Sequence, residues 1–424
     1  MVGTLLLTLL LTLLLTLLLT LLLTFLLTLP LTLPLDVAFS FRKHNKSLLT
    51  VSTLPGAILP AANITQYLDA ILTTQPSTLP NLRCPSLNST TRYSALKSKG
   101  PSDPAIQYFF ALNLRQNLPL LPRLIGSIVE AIRFLGPAQC VLSIVEGNSP
   151  DGTADVLAAL RPALENMGVA YYFESSTIDP SKDDRVGRLA QLRNRALAPL
   201  FDLHDKVTSS TTVIFLNDVS ACPEDILELV HQKRALGADM TCAMDWTYAG
   251  EHPTFYDVWI GRTINGDSFF EIPPDGNWDS AWNLFWNADE TRERFFRSRP
   301  FQVFSCWNGA TTFTAQPVLE KTVQFRAANE SAGECRQGEP QLFCKDLWFK
   351  GYRKIAVVPS VNLEYSVEKA KKIKESKGYT SDLVSKQDAA DDKIDWRLDP
   401  PDMVRCMPTW ANQYWQPWNE TLKP

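Results

Sequence analysis

Histidine is scarce, with four in 424 residues, and no two of the eight cysteines stand in Cys-x-x-Cys spacing. Those shortages argue against a structural zinc site, whose ligands come mainly from these two residue types. Basic charge is not in excess either. The chain has 41 Lys and Arg against 45 Asp and Glu, a net charge of −4. Nucleic-acid binding would show a basic field or stripe, and none is present. No Gly-x-Gly-x-x-Gly follows the first predicted strand, and no Gly-x-x-x-x-Gly-Lys-[Ser/Thr] occurs. Their absence argues against a dinucleotide enzyme and a P-loop ATPase. A nucleotide-sugar enzyme needs neither pattern.

Charge is also missing from the first 35 residues. MVGTLLLTLLLTLLLTLLLTLLLTFLLTLPLTLPL repeats threonine every fourth residue from Thr4 to Thr32. The run exceeds the roughly 20 apolar residues that span a bilayer core. Residues 1–35 are therefore expected to form a signal anchor, ended by Pro30 and Pro34. Arg42, Lys43 and Lys46 follow it closely, against the positive-inside rule. Residues 36–104 are rich in Ser, Thr and Pro and are expected as stem or linker, with one short helix near 63–73. Sequons at Asn45, Asn63, Asn88, Asn329 and Asn419 suit the secretory route. Cys335 and Cys344 bracket the short stretch RQGEPQLF and are the expected disulfide, with two buried thiols as the alternative.

Residues 105–365 carry the globular pattern. Apolar runs such as IQYFFALNL, QCVLSIVEG, VAYYFES, TVIFLNDV and ADMTCAMDW alternate with amphipathic segments of ten or more residues. Unbroken apolar strands between helices predict an α/β domain with a mostly parallel sheet, buried on both faces. Ligands bind outside the carboxyl ends of such strands. Glu146, Asp218 and Asp245 stand at strand ends, and Asp151 opens the next helix, so four acids gather at that rim. Helix capping is the plainer account of Asp151. After about residue 250 the alternation breaks down into long loops and short strands. IAVVPSVNLEY closes the domain, and residues 366–424 read as a charged helix and a Trp- and Pro-rich extension.

Arg185, Arg188, Arg193 and Arg195 share a predicted helix with Asn194. They form either a solvated basic face or a diphosphate clamp, since arginine forks match phosphate oxygens. Acids and arginines at one rim suggest an anionic nucleotide with a divalent cation. In FYDVWIGRTINGDSFF and FQVFSCWNGATTF, Trp259 and Trp307 stand beside Asp257, Arg262 and Asn308. Such a set suits the CH faces and hydroxyls of a sugar, with an aromatic core as the plainer account. Glu339, Lys345 and Asp346 in GEPQLFCKDLW are candidates for holding an acceptor or managing a proton.

The stretches SIVEGNSPDGT, RLAQLRNRAL, VIFLNDV, CAMDW, FYDVWIGR, SCWNG and LFCKDLWFKGY occur in order and resemble the fungal capsule-associated mannosyltransferases, glycosyltransferase family 69. The resemblance implies a GT-A-like fold and a single-pass type II protein of the Golgi or endoplasmic reticulum membrane with a lumenal catalytic domain. It implies GDP-mannose as donor, a divalent cation such as Mn²⁺, and an α-mannoside acceptor joined with retention, in an α-1,3 linkage. Asn217-Asp218-Val219 stands where many such enzymes carry Asp-x-Asp, which leaves Asp218 as the metal and diphosphate contact. Asp346 is then the expected residue near the reacting centre, with Asp245 and Glu339 as further catalytic candidates. Glu146 is expected on the ribose or base, with Asp151 also on the nucleotide side. Arg188, Arg193 and Asn194 are expected on the diphosphate or donor.

Overall fold

The apolar runs become strands, and their parallel pairing builds the sheet. The computed structural model describes residues 57–73, 78–87, 91–98, 105–182, 184–387 and 392–422. All fall within one unit, Thr53–Pro424. The leucine–threonine tract and its basic flank lie outside the described residues. Among those described, no helix is long and apolar enough to cross a membrane.

Strands β1 (Ile106–Leu114), β2 (Cys140–Glu146) and β3 (Ala170–Ser175) pair in parallel, and β4 (Val207–Leu216) joins the other edge of β1, also in parallel. Next come β5 (Met240–Ala249), β6 (His252–Phe255), β7 (Arg262–Thr263), β8 (Phe301–Ser305), β9 (Ala310–Thr314) and β10 (Ile355–Leu363). The sheet order is β3-β2-β1-β4-β9-β5-β10-β8-β7, with β6 paired to β5. Strand β9 enters antiparallel between β4 and β5, while β5 and β10 run parallel to each other. Hence β3, β2, β1, β4, β5 and β10 all point the same way and end on one side. That common edge is where the sequence placed its acids.

Helices cover both faces. Helix α1 (Ala61–Leu72) buries Ile64, Leu68 and Ile71. Helix α2 (Leu121–Leu135) buries nearly its whole length. Helix α3 (Arg185–Leu197) turns Ala190, Leu192, Ala196 and Leu197 inward. Helices α4 (Pro223–Ala235), α5 (Glu339–Phe349) and α6 (Val367–Lys377) complete the layers. The described part of the segment expected as linker is packed. Tyr93 and Leu96 are buried, and Arg92 pairs with Glu228 of α4 at 2.7 Å. Its apolar residues are too widely spaced among Ser, Thr and Pro to show a period, yet Ile64, Leu68, Ile71, Leu82, Tyr93 and Leu96 are all buried. The Trp- and Pro-rich extension includes an antiparallel hairpin, β11 (Met403–Cys406) and β12 (Tyr414–Pro417).

The cysteines pair as Cys84–Cys222, Cys242–Cys306 and Cys335–Cys406. The expected Cys335–Cys344 bridge is corrected: Cys344 is a buried free thiol on α5. It lies 3.8 Å from the Met240 sulfur and 3.4 Å from the Cys306 carbonyl oxygen. Closeness in sequence misled, because the helix carries Cys344 into the core while the loop before it buries Cys335 against Cys406 of the hairpin.

Candidate active site

A cleft of about 470 Å³ opens at the carboxyl edge of the sheet. Arg185, Arg193, Asn217, Asp257, Trp259, Trp307, Arg336, Gln337 and Glu339 supply its polar and aromatic lining. Seven residues singled out in the sequence therefore meet here: Arg185, Arg193, Asn217, Asp257, Trp259, Trp307 and Glu339. They come from α3, the loops after β4, β6 and β8, and the start of α5.

Local sequence explains each placement. Asp184 caps α3 by accepting from the Gly187 amide at 3.0 Å. A Cβ on Gly187 would fall 2.1 Å from that carboxylate, so a larger residue there would displace the cap. The cap sets Arg185 and Arg193 against the cleft. Glu339 sits in the first turn of α5, followed by Pro340, where a carboxylate suits the helix dipole. Arg193 Nε donates to Glu339 Oε1 at 2.8 Å, and both side chains are nearly buried. The guanidinium also lies 4.6 Å from the Trp307 ring centroid. Trp307 Nε1 donates to Asn217 Oδ1 at 3.0 Å. Past β8, Asn308 and Gly309 both take positive φ. This turn aims the Asn308 amide at Asp257 Oδ2, 2.9 Å away. The Asn308 side chain donates to the Ala243 carbonyl oxygen at 2.8 Å, so it braces the site from within.

Acids cluster behind the cleft. Asp245 is fully buried on β5, and Tyr365 donates to its Oδ2 at 2.6 Å. Its Oδ1 has no hydrogen-bond partner. Burial, then the charge of Asp257, pushes the Asp245 carboxyl well above its ordinary value. Asp257 keeps some surface open to the cleft, but the protein packed around its carboxyl pushes it up to about 6. Tyr365 is raised well above its ordinary value, by burial first and then by Asp245, Asp257 and Asp218. Strand-end position was the available signal for Tyr365, which follows β10 in VNLEY. Arg336 and Gln337 gave none, because an exposed loop carries them.

The other candidates do not line the cleft, although Asp218 directly follows its lining residue Asn217. Asp218 is half-exposed at the end of β4 and accepts from Asn117 Nδ2 at 3.1 Å. Glu146 is fully buried. It accepts from the Asn148 and Ser149 amides at 3.1 and 2.7 Å, so it orders the loop after β2. Asp151 accepts from the Thr153 amide at 3.0 Å and the Leu118 amide at 3.1 Å, in the same supporting manner. Asn194 exchanges two hydrogen bonds with the Phe325 backbone. Arg188 does not line the cleft. Arg262 is buried beneath it and donates to the Arg405 carbonyl oxygen at 2.9 Å. Asp346 lines a different cavity, on the far part of α5, where Arg326 takes both its oxygens at 2.8 Å. Lys345 is likewise engaged, at 2.7 Å from Glu334.

Among the described residues, no three His, Cys, Asp or Glu side chains group to hold an ion by themselves. A hard divalent cation needs less, since phosphates and waters commonly complete its oxygen shell. Asp218, an accessible carboxylate with one amide donor, fits such a partial site.

Comparison with known proteins places the chain in a family. The family described as Cryptococcal mannosyltransferase 1 matches residues 107–346. Alpha-1,3-mannosyltransferase CMT1 of Cryptococcus neoformans is 37% identical over 344 residues, covering 74% of this chain and 73% of that protein. Among solved structures, TarS 1-349 of S. aureus has TM-score 0.36 at 10% identity, covering 68% of each chain. Mannosyltransferase PcManGT from Pyrobaculum calidifontis, in complex with GDP-Man and Mn²⁺, has TM-score 0.36 at 12% identity, covering 64% of this chain and 62% of that one. By the family match and the identity to CMT1, the chain belongs to the cryptococcal mannosyltransferase family.

Proposed function

We propose that this protein transfers mannose from GDP-mannose to an α-mannoside acceptor, with retention and in an α-1,3 linkage, on a GT-A-like fold. One observation carries the reading: in a member of a mannosyltransferase family, arginines, acids and an open indole converge in one cleft at the carboxyl edge of the sheet. Arg185 and Arg336 offer cationic forks to the donor diphosphate. Arg193 fixes Glu339 and the Trp307 face. Asp257 offers a carboxylate to the positive charge that develops on the sugar as the diphosphate leaves. A divalent cation, with Asp218 supplying the protein carboxylate, would neutralise that leaving group when bound. The three disulfides suit an oxidising compartment, which supports a lumenal domain in the Golgi or endoplasmic reticulum, anchored through residues 1–35.

The test is release of GDP from GDP-mannose with Mn²⁺ present, followed by linkage analysis of the product. Equal turnover of UDP-sugars would overturn the donor assignment. Asp218→Ala is expected to slow transfer at least about tenfold, roughly 1.4 kcal/mol in the barrier, with folding intact. An unchanged rate would remove Asp218 from the site.

Asp346 takes a supporting role in this scheme. Asp346→Ala strips Arg326 of one of its two acids, the other being Glu334 at 2.6 Å. The pair is partly screened, so a stability loss of about 1–2 kcal/mol is expected by denaturant unfolding. Donor turnover at low temperature should stay within about twofold. A large loss of turnover at unchanged stability would return Asp346 to the chemistry.

A further inference from the structure

Trp259 is 37% exposed and lines the cleft, so part of its indole is open to a ligand. Trp410 covers another part: the two rings stack with centroids 3.7 Å apart and planes at 26°. Trp410 lies in the C-terminal extension, beyond residues 107–346 that match the family. Its segment reaches the cleft directly, because Met407 and Pro408 also line it.

Three devices hold this segment in place. Cys406 is bonded to Cys335, and the residues following Cys335, from Arg336 to Pro340, also line the cleft. The buried Arg262 guanidinium donates to the Arg405 carbonyl oxygen at 2.9 Å, and to those of Val258 and Gly261 at 3.2 and 2.8 Å. One side chain thus ties the loop bearing Trp259 to the tail. Gly276, at φ +75°, lies so close that a Cβ there would meet the Trp410 ring at 2.6 Å. An exposed indole fixed this firmly is a built surface. Hexopyranosides present an apolar CH face that packs on such a ring and hydroxyls that need polar partners at its rim. Asp257, Gln337 and Glu339 supply that rim.

We propose that the C-terminal extension completes the acceptor subsite: Trp259 is the platform for a hexopyranoside acceptor, and Trp410 is the positioning residue that holds its plane. The proposal rests on the glycosyl-transfer reading above, and its test separates the two. Acceptor-independent GDP release and transfer to a methyl α-mannoside are measured on the full chain. In Trp410→Ala, the acceptor KM is expected to rise at least about tenfold, with kcat at saturating acceptor and GDP release within about twofold. Trp410→Phe restores a stacking face and should hold the acceptor KM within about threefold of the parent. An unchanged acceptor KM in Trp410→Ala overturns the proposal. So does a parallel fall in GDP release and acceptor use in Trp410→Phe. If the parent chain releases no GDP from GDP-mannose, the donor reading fails instead. Saturation-transfer NMR with methyl hexopyranosides then decides the platform. Binding lost in Trp410→Ala and kept in Trp410→Phe sustains it, and no binding to the parent chain overturns it.

Discussion

Asp257→Asn is expected to lower kcat at least about a hundredfold while raising thermal stability at neutral pH. The two effects have one cause. The Asp257 carboxyl is held up at about 6, against an ordinary 3.8, because burial penalises its charge. Below the unfolded value both states are protonated, and the group adds nothing to the pH dependence. Between the two values the folded state binds the extra proton, so stability falls as pH rises from about 4 to about 6, then levels off. The ceiling on that loss is about 3 kcal/mol at 1.36 kcal/mol per unit, and water in the cleft reduces it. Asparagine can still accept from the Asn308 amide, so geometry survives while the charge goes. The variant should melt higher than the parent chain at pH 7 and equally near pH 4. Its activity should be low throughout, whereas the parent should lose activity below about pH 6. A variant that keeps its turnover would remove Asp257 from the reaction.

Arg193→Ala should cost both activity and stability. Arg193 is 6% exposed, and its guanidinium is bonded to Glu339 and surrounded by Phe215, Trp307 and Phe325. Its removal leaves Glu339 buried without its cation, a loss of about 3–5 kcal/mol. It also frees the Trp307 face, so kcat/KM should fall at least about a hundredfold. Lysine cannot reproduce the fork or the flat stacking surface, so Arg193→Lys should fail in the same direction. The double variant Arg193→Met with Glu339→Gln separates the two losses. It removes both charges together, so chemical denaturation should show most of the stability restored while activity stays low. Recovery of activity with stability would make the pair a structural element only.

The alternation of apolar strands with helices determined the α/β layering, since burial on both faces requires unbroken apolar runs. Acids at the ends of TVIFLNDV and ADMTCAMDW were legible too, because parallel strands share one carboxyl edge. Their different fates were not. Asp245 sinks beneath Tyr365, and Glu146 closes its own loop, while Asp257, from an irregular loop, reaches the cleft. Each of these outcomes depends on which backbone amide or hydroxyl arrives from a distant segment.

Local periodicity states which face of a strand or helix is buried, and that much this sequence determined alone. It holds no information about partners far along the chain. Only the tertiary structure placed β9 between β4 and β5, joined Cys335 to Cys406 rather than Cys344, and brought the Trp-rich tail onto the cleft. Those choices are made by packing and pairing among segments separated by tens of residues, where shape and hydrogen-bond complementarity decide and spacing in sequence does not.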